Sequence, residues 1–170
     1  GSTPGETLGE DKQLAIKLLA DKLKADYSDS QYAIYAALAK AKLAVESNDL
    51  DTAVIELRWA MDNADAASEL IARLRLARVE AARGNLDSAL QLVQGVDAGE
   101  MKSAFEEAKG DFYLEQGNTA AAYTAYQSAM ATETSGDSSV RGLIQLKIGL
   151  VQPAPLEEPV AEAEESESVE

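Results

Sequence analysis

The side chains best placed to do acid–base chemistry are carboxylates, because the chain contains no histidine and no cysteine. Two pairs lie close in sequence, Asp49 with Asp51 and Glu106 with Glu107. Adjacent positions on a helix point about 100° apart, so Glu106 and Glu107 do not converge on one substrate. The two aspartates lie in a predicted turn, where helix capping explains them. Without a nucleophile–base pair or a glycine-rich phosphate loop, we expect no catalysis, no cofactor and no metal site.

A second group of charged side chains is a cluster of arginines in one predicted helix and its terminal turn: Arg73, Arg75, Arg78 and Arg83. Guanidinium groups bind carboxylates through paired hydrogen bonds, so the cluster could grip an acidic peptide or partner surface. Alternatively, the arginines pair with carboxylates of their own or adjacent helices, such as Glu69, Glu80 and Asp111. We favour pairing for most of them, with Arg78 as the best candidate for a partner contact.

The elements that position these residues are helices in a repeating unit. Gly84-Asn85-Leu86-Asp87-Ser88-Ala89 has a relative 36 positions earlier, starting at Asn48, and another 33 positions later, starting at Gly117. Each joins a segment of helical periodicity to another, so the unit is helix, tight turn, helix. We expect Gly84 to adopt the left-handed conformation that ends a helix, with Asn48 as the next best residue for that role. A tandem unit of about 34 residues is typical of a tetratricopeptide solenoid.

Apolar periodicity and capping residues predict an all-α, tetratricopeptide-like solenoid of about three helix pairs with one flanking helix at each end. Either Asp65 or Ser68 could cap the fourth helix. The predicted helices are Glu10–Asp26, Gln31–Ser47, Leu50–Ala64, Glu69–Arg83, Leu86–Val96, Met101–Gln116, Thr119–Thr132 and Val140–Leu150. If this register holds, the concave, partner-binding side carries Tyr35, Leu38, Lys42, Leu74, Arg78 and Asp111.

Composition agrees with a packed domain between two polar ends. Hydrophobic residues make up 46% of the chain but aromatic residues only 5%, so the core must be built mainly from small and aliphatic side chains. We expect residues 1–9 to be a disordered linker or cloning remnant, since the chain begins with Gly1-Ser2 and lacks an initiator Met. The repeat domain is predicted to span 10–151, and 152–170 to be a disordered acidic tail.

The excess of acidic residues limits the kinds of partner that the chain can bind. The formal net charge is −15, of which seven glutamates between Pro153 and Glu170 supply −7. Such a chain repels a phosphate backbone, so we expect no nucleic-acid binding. No stretch reaches the roughly 18 consecutive apolar residues that a membrane-spanning helix needs.

The third repeat matches the tetratricopeptide pattern best, at the small and aromatic packing positions Gly110, Tyr113, Gly117, Ala122, Tyr126 and Ala129. A second likeness runs from about Ala20 to Val151 and is strongest at Leu74-Arg75-Leu76-Ala77-Arg78-Val79, followed by Leu86-Asp87-Ser88-Ala89-Leu90. In these residues the chain resembles the periplasmic domain of the YfgM-like family, the ancillary subunit of the bacterial Sec translocon. The Glu-rich tail is not part of that family's usual pattern.

This resemblance implies a non-catalytic protein–protein interaction scaffold. Members have one N-terminal helix in the bacterial inner membrane and a periplasmic repeat domain, so the resemblance implies that an anchor preceded Gly1. It also implies as partners the Sec translocon subunits, a periplasmic chaperone of the prolyl-isomerase type and exported polypeptides. The alternative is a tetratricopeptide adaptor or co-chaperone of another assembly, in envelope biogenesis or in the cytoplasm.

Overall fold

The computed structural model describes residues 9–152, and the fold of this part of the chain is a stack of α-helices. A single 3₁₀ turn, Gly99–Met101, precedes the sixth helix. In chain order the helices are α1 Glu10–Asp26, α2 Gln31–Glu46, α3 Leu50–Asn63, α4 Ala66–Ala82, α5 Leu86–Val93, α6 Lys102–Glu115, α7 Thr119–Thr132 and α8 Ser138–Val151. The all-α prediction is confirmed. Apart from Gly9 and Gln152, the predicted linker and acidic tail lie outside the described residues.

The helices form three hairpins, α2–α3, α4–α5 and α6–α7, with α1 and α8 packed at the two ends of the stack. Each helix packs mainly on its neighbours in sequence, and α4 also contacts α2 and α6. Because the connections are short, consecutive helices run antiparallel, so α2, α4, α6 and α8 point the same way. This is the predicted arrangement of three pairs with two flanking helices.

Three residues with positive φ make the hairpin turns. They are Asn48 at 57°, Gly84 at 83° and Gly117 at 77°, as the repeat pattern predicted. Glycine adopts this region without steric cost, and asparagine tolerates it better than most other residues. The next residue is the N-cap of the following helix, and at Asp49 the side chain accepts a hydrogen bond from Thr52 N at 3.1 Å.

Three predicted helix boundaries are wrong by two residues or more, and several others by one. The last helix begins at Ser138 rather than Val140, because Asp137 is its cap. The fourth helix begins at Ala66 rather than Glu69, because Asp65 rather than Ser68 is the cap: its carboxylate accepts a hydrogen bond from Ser68 N at 2.8 Å. The fifth helix ends at Val93 rather than Val96. Gly95 lies two residues beyond that end with φ of 68°, a conformation that cannot continue a right-handed helix.

Small side chains hold the stack together. Half of the buried hydrophobic residues within 9–152 are alanines, and they lie between neighbouring helices. Gly110 on α6 and Tyr126 on α7 show why the size matters: a Cβ added at Gly110 would lie 2.5 Å from Tyr126 Cδ1, well inside van der Waals contact. Tyr126 is itself fully buried. The small residue of one helix therefore makes room for the aromatic ring of its partner, as the third repeat predicted.

Candidate functional site

The arginine cluster divides into two paired and two unpaired members. Arg73 forms an ion pair with Glu69 on its own helix, Nη2 to Oε1 at 2.6 Å. Arg83 contacts Asp51 of α3 at 2.6 Å and Glu80 at 3.2 Å. These two arginines therefore stabilise the stack, as the pairing interpretation predicted, but that interpretation expected most of the four to pair and only these two do so within residues 9–152.

Arg75 and Arg78 behave differently. Both side chains are exposed, and within residues 9–152 neither has a carboxylate at ion-pair distance. They lie three positions apart on α4, so they project from the same face of that helix. Unpaired guanidinium groups on one face remain available to carboxylates of another molecule.

These two arginines form one side of a groove between α2 and α4. Its volume is about 450 Å³, and Leu57 of α3 contributes to its base. Both apolar and charged side chains of α2 line it, and Lys42 is one of the exposed cations. We call this feature the α2–α4 groove; its lining residues are Leu38, Ala41, Lys42, Val45, Glu46, Leu57, Arg75, Arg78 and Val79.

The groove therefore combines an apolar base with a basic rim. Leu38, Val79 and Leu57 are buried, whereas Lys42, Arg75 and Arg78 reach solvent. Glu46 is the acidic member of the lining, and its carboxylate lies 3.7 Å from Lys42 Nζ. Such a surface can desolvate aliphatic side chains while its cations hold nearby carboxylates.

Three of the six residues proposed as partner contacts meet in this groove, namely Leu38, Lys42 and Arg78. Tyr35 lies on the same stripe of α2, one turn before Leu38, and 56% of its surface is exposed. It extends the candidate surface beyond the groove.

The structure places the other two proposed contacts elsewhere. Leu74 is buried with Ala77 and Ala81 on the side of α4 that faces α5 and α6, because one position along a helix rotates a side chain by about 100°. Asp111 accepts hydrogen bonds from Tyr126 Oη at 2.8 Å and Lys147 Nζ at 2.7 Å, so it serves as an internal link between helices.

The sequence-based set of contacts missed six of the nine residues that line the groove, among them Arg75 and Val79. A signal was present: Arg75 and Val79 stand at i−3 and i+1 from Arg78, and Lys42, Val45 and Glu46 follow Leu38 at i+4, i+7 and i+8. Placing the stripe on Leu74 rather than Arg75 was an error of one residue in register. Periodicity alone does not distinguish the core-facing stripe of a helix that is covered on two sides.

Buried carboxylates join successive helices of the stack. Glu56 of α3 is buried and binds Lys24 of α1 at 2.6 Å and Lys40 of α2 at 2.9 Å. Lys24 Nζ also lies 5.4 Å from the ring centre of the partly buried Trp59, a cation–π distance. These contacts fix α1, α2 and α3 relative to one another.

Glu80 of α4 is the second buried carboxylate. It accepts hydrogen bonds from Arg58 at 2.9 Å and from Asn85 Nδ2 at 2.8 Å. Burial acts to raise the pKa of Glu80, but the hydrogen bonds from Asn85 and Arg58, with the charges of Arg83 and Arg58, outweigh it and lower that pKa below its ordinary value. Glu80 is therefore held ionised inside the stack.

A third cluster links α6, α7 and α8. Lys147 contacts Glu107 at 2.7 Å in addition to Asp111. Burial acts to lower the pKa of Lys147, but these hydrogen bonds and charges raise it above its ordinary value. Burial and the neighbouring Asp111 carboxylate both raise the pKa of the Tyr126 hydroxyl, so it stays protonated and donates to Asp111.

The carboxylate pair considered for catalysis is occupied by these contacts. Glu106 binds Lys109 at 2.6 Å, whereas Glu107 binds Lys147, so the two side chains point to different lysines. Residues 9–152 contain no group of three or more potential metal ligands. Over the same residues, no helix combines the length and apolarity required to cross a bilayer.

A stack of helical hairpins with an open groove between the first helices of two repeats defines a helical-repeat protein. Comparison with known families agrees: the family described as "Tetratricopeptide repeat-like domain" matches residues 5–152. The chain belongs to this family.

Two named relatives make the likeness more specific. An "Ancillary SecYEG translocon subunit" of Aggregatibacter actinomycetemcomitans is 37% identical over 121 residues, which cover 70% of this chain and 57% of the relative. A protein of the same name from Haemophilus influenzae is 28% identical over 122 residues, covering 71% and 58%. The resemblance to ancillary translocon subunits is confirmed, and the matched part spans somewhat more than half of those relatives.

Proposed function

We propose that this chain is the periplasmic interaction domain of an ancillary subunit of the Sec translocon and acts as a non-catalytic scaffold. The observation that carries the proposal is the α2–α4 groove, whose cations Arg75 and Arg78 are exposed and unpaired within the described residues. Most other basic side chains around it are committed to internal ion pairs. The name that the two relatives share, ancillary SecYEG translocon subunit, supports the translocon as the assembly.

The proposal includes partners and a location. The partners are translocon subunits, a periplasmic chaperone of the prolyl-isomerase type and exported polypeptides, and the anchor is an N-terminal helix in the inner membrane. Because the matched part spans 57% and 58% of the relatives, they contain sequence outside it that could provide such a segment. Affinity would come from burial of aliphatic side chains in the groove and from charge-assisted hydrogen bonds at its rim.

The absence of catalysis is part of the proposal. The supporting observations are the lack of histidine and cysteine and the internal ion pairs of Glu106 and Glu107. A binding scaffold needs a persistent surface rather than a reactive group, and the buried Glu56 and Glu80 clusters on either side of α3 provide that rigidity.

The test uses the full-length native protein, tagged at its C-terminus and expressed in its own cells. We expect it to fractionate with inner membranes and, after gentle solubilisation, to co-purify with Sec channel subunits and a periplasmic prolyl isomerase. Recovery in a soluble fraction without Sec subunits would refute the assignment to the translocon and favour an adaptor of another assembly.

A charge reversal tests whether the groove is the binding surface. Arg78→Glu should reduce co-purification of Sec subunits at least tenfold while leaving thermal stability nearly unchanged, because Arg78 is exposed and unpaired within residues 9–152. The matched control is Lys22→Glu, the same change of charge at an exposed position of α1. Equal capture by both variants would place the binding surface elsewhere, and a large loss of stability in Arg78→Glu would show that Arg78 has a structural role.

A further inference from the structure

The segment that follows α8 contains the two kinds of side chain, carboxylate and aliphatic, that are complementary to the α2–α4 groove. Residues 153–170 contain seven glutamates and no basic residue, and Leu156, Val160 and Val169 are interspersed among them. Around its apolar base the groove offers three exposed cations and one carboxylate, Glu46, which lies 3.7 Å from Lys42 Nζ, so Arg75 and Arg78 are its cations without a partner in residues 9–152. Carboxylates spaced among aliphatic side chains match both of its features, the basic rim and the apolar base.

The direction of the helices brings this segment to the correct end of the stack. The groove lies along the C-terminal halves of α2 and α4, from Leu38 to Glu46 and from Arg75 to Val79. Since α2, α4, α6 and α8 run parallel, the C-terminal end of α8 lies at that same end. The ion pair of Lys147 with Asp111 agrees, because both residues lie near the C-terminal ends of their helices.

The segment is also long enough. Packed helices lie about 8–10 Å apart, so two steps from α8 through α6 to α4 amount to about 20 Å, and a third to α2 to about 30 Å. Eighteen residues span up to about 60 Å when extended. Half of that length therefore suffices to reach the groove, and the remainder can lie along it.

We propose that residues 153–170 occupy the α2–α4 groove of their own chain, with their carboxylates on Arg75 and Arg78. Attachment to α8 gives the segment an effective concentration of the order of 1 mM at the groove, so contacts too weak to matter between separate molecules suffice within one. The segment then competes with any partner that uses the groove. This consequence rests on the proposed function, whereas the docking itself requires no partner.

The absence of native cysteine makes a direct test possible in the full chain. Ser166→Cys is combined with Val45→Cys, which lies in the groove and is 44% exposed. The matched control pairs Ser166→Cys with Gln145→Cys, an exposed position on α8 and nearer in sequence. We expect the groove pair to form an intramolecular disulfide at least tenfold faster than the control pair, measured by non-reducing electrophoresis at low protein concentration.

Charge dependence is the second measurement. Adding Arg75→Glu and Arg78→Glu to the groove pair should slow its disulfide formation at least fivefold, and 0.5 M salt should do the same to the unmodified pair. Circular dichroism on the same variants confirms that they are folded. Equal rates for the groove and control pairs, insensitivity to the arginines, or disulfides formed only between chains would each overturn the proposal. Since no translocon component is present, such a result would leave the proposed function untouched.

Discussion

Replacing Gly110 by alanine tests how the stack of helices is held together. A Cβ at this position of α6 would lie 2.5 Å from Cδ1 and 3.0 Å from Cζ of Tyr126, where carbon atoms ordinarily stay about 3.5–4.0 Å apart. The ring would have to move by about 1 Å. It has little freedom to do so, because Tyr126 is fully buried and its hydroxyl donates to Asp111.

The expected cost follows from two opposing contributions. Overpacking a well-packed core costs about 1–3 kcal/mol, whereas replacing glycine by alanine inside a helix gains about 1 kcal/mol. We therefore expect Gly110→Ala to lower the free energy of unfolding by up to about 2 kcal/mol. If the displaced ring also loses its hydrogen bond to Asp111, the loss rises to about 3 kcal/mol.

Urea denaturation followed by circular dichroism measures this difference. The matched control is Gly142→Ala on α8, where an added Cβ has no heavy atom within 4 Å, so this variant should gain about 1 kcal/mol from helix propensity. In a Tyr126→Leu background, which lacks the clashing ring, Gly110→Ala should become neutral or stabilising. A destabilisation that persists in that background would show that the ring is not the cause.

Two further variants test the turn between repeats and the buried charge. Gly84→Val should lower the free energy of unfolding by about 1–2 kcal/mol, because a β-branched residue resists a φ of 83°, whereas Gly84→Asn should lose less; equal losses in urea denaturation would contradict the left-handed turn. Glu80→Gln should cost about 1–3 kcal/mol at pH 7. Because the folded-state pKa of Glu80 is lowered, its contribution is present above its ordinary pKa of 4.5 and is lost as the pH falls through the lowered value. Between pH 7 and pH 3 the melting temperature should therefore fall less in the Gln variant than in the parent. If the two melting temperatures fell in parallel with pH, this role of Glu80 would be refuted.

The fold could be predicted from local features because the residues that end, turn and cap each helix lie close together in sequence within each repeat. The residues that turn the chain, Asn48, Gly84 and Gly117, adopt positive φ for a reason that depends on three or four neighbouring residues. The apolar stripes likewise depend only on the spacing of residues within one helix. Where two local signals competed, as Asp65 and Ser68 did for the start of α4, the sequence left the choice open and the structure resolved it in favour of Asp65.

The candidate site was less predictable because it depends on contacts between repeats. Whether an arginine of α4 pairs internally is decided by residues far away in sequence: Arg83 pairs with Asp51, 32 positions earlier. Glu80 likewise depends on Arg58. The sequence shows that arginines are concentrated on α4, but only the packing of α3 against α4 reveals which of them remain unpaired.

This division of the charged residues explains how an acidic chain can present a basic groove. Glu56 and Glu80 are buried and bind Lys24, Lys40 and Arg58, so these cations stabilise the stack. A buried carboxylate left without a cation would be strongly destabilising, which fixes those basic residues in place. Arg75 and Arg78 line the groove and form no ion pair with any carboxylate of residues 9–152, so they can bind carboxylates from elsewhere. The interaction surface thus follows from where the helices meet, and a change that repacks α3 on α4 should alter partner binding even without touching the groove.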